Sequence, residues 1–155
     1  MKSRTKLRLA IAVLLLGACA GWLGCFAMRG PRTLAVPPPG QQIVMEVTAY
    51  CACQKCCGWK RNWLGMPVFG SGPLAGKRKK VGICADGSSA KRGTIAADTD
   101  FYPFGTRIYV PGYGVGAVHD RGSAIKGMNR LDLYFRSHDD ALEWGRQELT
   151  VVVLD

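Results

Sequence analysis

From Ile43 onward no apolar stretch of this chain is longer than a short β-strand, and glycine or proline interrupts the segments between them. That pattern most limits the fold, because a helical core needs apolar residues repeating every three to four positions over ten or more residues. Six segments are β-branched and apolar: Ile43–Tyr50, Thr94–Ala97, Thr106–Val110, Val115–His119, Leu131–Phe135 and Leu149–Leu154. Pro111-Gly-Tyr-Gly114 is a turn by composition. One helix is predicted from Ser137 to Gly145. Ser137 caps it, Asp139 and Asp140 suit its positive end, Ala141, Leu142 and Trp144 form its buried side, and Gly145 stops it. Six short strands and one helix in about 110 residues predict a small, mainly β barrel over residues 43–155.

The N-terminal part reads differently. Leu9 to Met28 carries no charge over 20 residues, which as a helix would span about 30 Å, the thickness of a hydrocarbon core. Four basic residues precede it, which holds the N-terminus in the cytoplasm and the remainder outside. A competing reading is a lipoprotein signal, Leu16-Gly-Ala-Cys19, with Cys19 lipidated. Either way residues 1–29 are a signal or membrane anchor, and the chain faces the periplasm or cell envelope. Residues 30–42, with Pro31 and Pro37-Pro-Pro39, form a semi-rigid linker.

The net charge of +10 is not a nucleic-acid footprint. Six basic residues and no acidic ones precede Gln42, and the remaining 15 basic and 11 acidic residues leave +4. No basic helix or aromatic stacking module accompanies that excess. A mildly basic surface suits an anionic polymer such as a cell wall. The basic, glycine-rich stretch between Trp59 and Val81, ending Lys77-Arg-Lys-Lys80, reads as a solvated loop.

Five cysteines follow the anchor: Cys51, Cys53, Cys56, Cys57 and Cys84. Outside the cytoplasm disulfides are the default, yet four thiols in seven residues also suit a structural zinc ion, with Cys84 as a fourth ligand or a disulfide partner. A catalytic cysteine is disfavoured, because nothing in the sequence ties His119 or His138 to a thiol.

Three aspartates stand at informative places. Asp98 ends a strand and Asp120 ends another. Asp132 lies inside Arg130-Leu-Asp-Leu-Tyr-Phe135, where period-two alternation puts Leu131, Leu133 and Phe135 on one face and Asp132 and Tyr134 on the other. A carboxylate in mid-strand costs solvation unless it is exposed, paired or functional.

Together these segments resemble the bacterial 3D domain, named for three aspartates. The resemblance rests on Gly93-Thr-Ile-Ala-Ala-Asp98, Pro103–Gly114, His119-Asp-Arg-Gly-Ser-Ala-Ile-Lys-Gly127 and Arg130–Phe135, with Val47-Thr-Ala-Tyr50 before them. It implies a six-stranded double-psi β-barrel related to the C-terminal barrel of membrane-bound lytic murein transglycosylase A. By the same implication the chain is a monomeric glycosidase acting on peptidoglycan glycan strands, at the β-1,4 bond between N-acetylmuramic acid and N-acetylglucosamine. A non-catalytic wall-binding module on the same barrel is the alternative. Asp132 matches the general acid and base, Asp120 its supporting aspartate and Asp98 the third. Tyr50, Lys126, Arg130 and Tyr134 are candidate substrate contacts. No cofactor is required, since one carboxyl can protonate the leaving oxygen and then deprotonate the sugar's C6 hydroxyl. An Asp120 carboxylate ~4–6 Å away at an effective dielectric of about 20 would raise the pKa of Asp132 by two or three units, and apolar neighbours push the same way. Arg121, Ser123, Cys84 and the extra Met128 depart from the family's pattern, and Arg121 beside Asp120 would hold it ionised, which keeps that repulsion, or could neutralise it.

Overall fold

The computed structural model describes residues 39–154. The expected signal or anchor segment, Cys19 and most of the expected linker lie outside them. Among the described residues no helix is long and apolar enough to cross a membrane.

Eight strands and two short helices follow in order: β1 (Gln41–Tyr50), α1 (Gln54–Cys57), β2 (Trp59–Arg61), β3 (Pro67–Phe69), β4 (Thr94–Ala96), β5 (Arg107–Val110), β6 (Gly114–Asp120), β7 (Arg130–Tyr134), α2 (His138–Trp144) and β8 (Gln147–Val153). Six strands close into a barrel in the order β1-β7-β4-β6-β5-β8, and β8 returns to β1. These are the six strands read from sequence, with ends shifted by one or two residues. Two pairings, β1 with β7 and β4 with β6, are parallel, and the other four are antiparallel. Closure removes the exposed edges that a sheet of this size would otherwise present.

Alternation along each strand fills the interior. Met45 and Val47 of β1, Ile108 and Val110 of β5, and Leu131 and Leu133 of β7 are all essentially buried. Tyr113, from the β5–β6 turn, closes one end, accepting from Gly93 N at 2.9 Å and donating to the Tyr134 carbonyl at 2.8 Å. Ser137 Oγ accepts from Asp140 N at 3.0 Å at the start of α2, and Gly145 ends that helix at a φ of 65°. The helix buries Ala141 and packs Trp144 on the core. Leu142, expected on the same side, is instead 65 % exposed. Residues 141 and 144 share a face one turn apart, and 142 points about 100° away.

Two elements escape the sequence reading. The segment expected to be a loop contains the β2–β3 hairpin, whose strands are short and lack alternation. Lys79, counted there as a solvated charge, donates to the Cys57 carbonyl at 2.7 Å and lies over the Phe69 ring. The four-residue α1 is too short for any periodic signal.

Packing leaves no room for a side chain where β4 and β6 approach each other. A Cβ on Gly116 would sit 2.7 Å from the Gly93 carbonyl oxygen and 2.8 Å from the Ile95 side chain. That carbonyl also accepts from Ala117 N at 2.8 Å, so it cannot retreat. Gly116→Ala is therefore expected to destabilise the barrel by about 1–3 kcal/mol, the usual cost of overpacking. Thermal melts would show it as a midpoint lower by several degrees.

Candidate functional site at the β1–β7 ladder

The parallel register of β1 and β7 pairs Glu46 with Arg130, Thr48 with Asp132 and Tyr50 with Tyr134. The spacing is two, so the three pairs share the strand faces opposite Val47 and Leu131, which point into the barrel. Each pair makes a contact. Arg130 Nε lies 3.4 Å from Glu46 Oε1. Thr48 Oγ1 donates to Asp132 Oδ1 at 2.8 Å. The Tyr50 and Tyr134 rings meet edge to face at 5.5 Å.

Asp120 enters from the other side. β4 lies between β7 and β6, and Ala96 pairs with Asp132 on one flank and Asp120 on the other. The β4–β6 register slips between Ile95 and Ala96, from Val118 to Asp120, leaving His119 as the extra residue. A bulge of this kind re-aims side chains. Here the Asp120 carboxylate accepts from Tyr50 OH at 2.9 Å, Ala85 N at 3.0 Å and Arg121 N at 2.9 Å. The Arg121 guanidinium lies over the Phe104 ring and forms no ion pair with Asp120. The expected neutralisation by Arg121 is therefore absent from the ion pairs of the described residues.

Burial, rather than repulsion, is the main reason that Asp132 is a weak acid. Its pKa is raised to about 6, first by loss of hydration, with the Thr48 hydrogen bond pulling it down and the Asp120 charge adding a smaller push. Two strand spacings separate the backbones of Asp132 and Asp120, roughly 9.5 Å, which explains why the repulsion is secondary. Thr48 Oγ1 also lies 3.3 Å from the Leu131 carbonyl. The hydroxyl can thus donate to an ionised Asp132, or turn to Leu131 and accept from a protonated one. Burial and hydrogen bonding to Asp120 likewise push the Tyr50 hydroxyl far above its ordinary pKa, so it remains a donor.

Asp98 is placed elsewhere. It is buried, its Oδ2 accepts from Gly127 N at 2.9 Å, and Lys126 Nζ approaches its Oδ1 at 3.7 Å. The Gly127 amide, above all, holds its carboxyl below the usual range. In this arrangement Asp98 secures the 126–127 loop.

A cleft of about 270 Å³ opens over Asp132, walled by Thr48, Tyr50, Cys56, Ile125, Arg130 and Arg146. A wider hollow of about 520 Å³ continues past Glu46 and Arg130 to Lys126, Asn129 and Glu148. Of the candidate substrate contacts, Tyr50, Lys126 and Arg130 line the groove, whereas Tyr134 is buried behind Tyr50. Glu46, Thr48 and Arg146 were not singled out from sequence. Arg146 donates to Glu46 Oε2 at 3.0 Å, so Glu46 is gripped by two arginines at the saddle between the two hollows. The alternation of Glu46, Thr48 and Tyr50 with Met45 and Val47 was the available signal.

The five cysteines of the described residues are unbridged. Cys51, Cys53 and Cys56 gather around His138, in a group that could hold a metal ion. Cys84, expected as a ligand or disulfide partner, is buried away from them, with Asp120 and Ser88 among its neighbours. Cys57 Sγ turns to the Cys51 carbonyl at 3.2 Å.

Asp132→Asn tests the burial account. The Asp132 pKa is higher folded than unfolded, so the carboxyl favours the fold when protonated and loses that advantage as pH rises from about 4 through 6. Asn keeps the oxygen that accepts from Thr48 and cannot ionise. The variant is expected to gain up to about 3 kcal/mol over the parent above pH 7, with the gain closing below pH 4. Denaturant melts across that range check it.

Residues 93–155 match the family described as the 3D domain. Two relatives come from Bacillus subtilis (strain 168). The cell wall-binding protein YocH is 43 % identical over 61 residues, covering 39 % of this chain and 21 % of that protein. The putative cell wall shaping protein YabE is 38 % identical over 61 residues, covering 39 % and 15 %. The matches therefore take in about a fifth and a seventh of those relatives' lengths.

Proposed function

Because this chain carries a 3D domain over residues 93–155, we propose that it engages cell-wall peptidoglycan outside the cytoplasm, with a glycan strand lying along the groove from Asp132 past Glu46 and Arg130 to Lys126. The observation that carries the reading is the groove itself, an open trough with Lys126, Arg130 and Arg146 placed along it beside Glu46 and Asp132. Sugar hydroxyls suit the Glu46 and Asp132 oxygens, and the carboxylates of stem peptides suit Arg130, Arg146 and Lys126. The two B. subtilis relatives, a cell wall-binding protein and a putative cell wall shaping protein, point to the same class of ligand. We further read the barrel as the double-psi type, in keeping with its two parallel pairings.

Asp132 favours a second reading, in which the bound strand is also cut. A carboxyl with a pKa of about 6 is protonated often enough near neutral pH to act as an acid. It would give its proton to the glycosidic oxygen as the anomeric C–O bond breaks. As carboxylate it would then accept the proton of the sugar's C6 hydroxyl, whose oxygen bonds to the anomeric carbon. A 1,6-anhydro end results, no water is consumed, and Asp132 recovers its proton. Thr48 would follow the proton by switching between Asp132 and Leu131. Tyr50, Glu46, Arg130 and Arg146 line the cleft in which this charge moves, and Asp120 acts from β6.

Co-sedimentation of the full chain with purified peptidoglycan sacculi tests the first reading. Arg130→Ala should weaken binding about tenfold, the loss of one charge-assisted contact. Unchanged binding by both Arg130→Ala and Lys126→Ala would move the ligand off this groove. For the second reading, chromatography of the supernatant should find 1,6-anhydro muropeptides. Their release should fall about tenfold per pH unit above 6 and vanish in Asp132→Asn without loss of binding. A parent protein that binds sacculi but releases no such ends at pH 5–6 leaves the binding module standing and removes the cleavage step.

A further inference from the structure

We propose that Cys51, Cys53, Cys56 and His138 form a closed structural zinc site that clamps the end of β1 to the start of α2. Four of the six donor separations match those of a tetrahedral site. Zinc–sulfur bonds of about 2.3 Å and zinc–nitrogen bonds of about 2.05 Å at tetrahedral angles put sulfurs about 3.8 Å apart, and sulfur and nitrogen about 3.6 Å apart. Cys51 Sγ and Cys56 Sγ are 3.7 Å apart. His138 Nδ1 lies 3.9, 3.6 and 3.4 Å from the sulfurs of Cys51, Cys53 and Cys56. All four donors lie within 4.8 Å of one another.

Hydrogen bonding alone does not account for this convergence. A neutral imidazole offers one nitrogen lone pair, and three thiols approach that same atom. One S–H can be satisfied there, and the others gain nothing comparable. A cation at the centre uses one lone pair from every donor. Binding would release the thiol protons to solvent and leave His138 neutral, with its hydrogen on Nε2. Four protein donors leave no open position, which marks the site as structural rather than catalytic, and three sulfurs with one imidazole suit zinc.

The ligands are drawn from three elements. Cys51 follows β1, Cys53 caps α1 and Cys56 lies within it, with Cys56 N donating to Cys53 Sγ at 3.4 Å. His138 opens α2, more than 80 residues away. Cys51 is the residue after Tyr50, whose hydroxyl holds Asp120, and Cys56 walls the cleft over Asp132. The ion would therefore stiffen one wall of the groove.

The full chain, purified reduced and stripped of metal, would be titrated with zinc and then, as an optical probe, with cobalt(II). One zinc per chain is expected by mass spectrometry of metal content, and cobalt should show the visible bands of a tetrahedral thiolate site. His138→Ala should weaken binding tenfold or more, and His138→Cys should restore it by supplying a fourth thiolate. Cys57→Ser and Cys84→Ser should leave stoichiometry and spectrum unchanged. Three results would each overturn the proposal: no metal held by the reduced parent, a spectrum insensitive to His138→Ala, or loss of metal on replacing Cys57 or Cys84. Should His138→Ala not fold, the parent's cobalt spectrum together with the His138→Cys variant still decides.

Discussion

The in-register parallel pairing of β1 with β7 is the interaction on which the rest of this molecule depends. It closes the barrel between the first and the next-to-last barrel strands in the chain. It also sets Glu46, Thr48 and Tyr50 directly opposite Arg130, Asp132 and Tyr134. A slip of one residue would turn Asp132 toward the core and Leu131 and Leu133 toward water, so burial of the two leucines enforces the register. The same apolar burial that stabilises the strand thus holds a carboxyl in a poorly hydrated cleft.

The second constraint is the bulge at Ile95 and Ala96. It moves β6 by one residue relative to β4 and brings Asp120 level with Ala96, on the flank opposite Asp132. Asp120 then takes hydrogen bonds from Tyr50 and two backbone amides, and its charge reaches Asp132 only weakly. The two aspartates are electrostatic neighbours in different environments: Asp132 is short of hydrogen bonds and Asp120 is well supplied. Asp98 stands apart from both, because Gly127 and Lys126 occupy its oxygens.

The N-terminal half of the described residues contributes more to the groove than the family match alone suggests. That match begins at residue 93, yet β1 supplies Thr48 and Tyr50, and the segment after it supplies Cys51, Cys53 and Cys56. The cysteines surround the continuation of β1 where it leaves the barrel. Any ion held there would act on the groove through Tyr50 and Cys56, by fixing their backbone.

Sequence alone determined the six barrel strands, the capped helix at Ser137 and the outward direction of Asp132. All of these follow from local rules: period-two alternation, turn chemistry and the pairing of a cap with free amides. It also singled out the cysteine-rich run as a site of disulfide or metal chemistry. What it could not determine was which residues meet across the chain. Thr48 finds Asp132 at a separation of 84 residues, and His138 meets cysteines 82 to 87 residues away. No local pattern encodes such partners. They are set by strand order and register, which depend on how all six strands close at once. For that reason Arg121 beside Asp120 in sequence lies over Phe104 in space, and Cys84 stands apart from the thiols it was expected to join. Tertiary structure alone decided that desolvation raises the pKa of Asp132 more than the second carboxylate does.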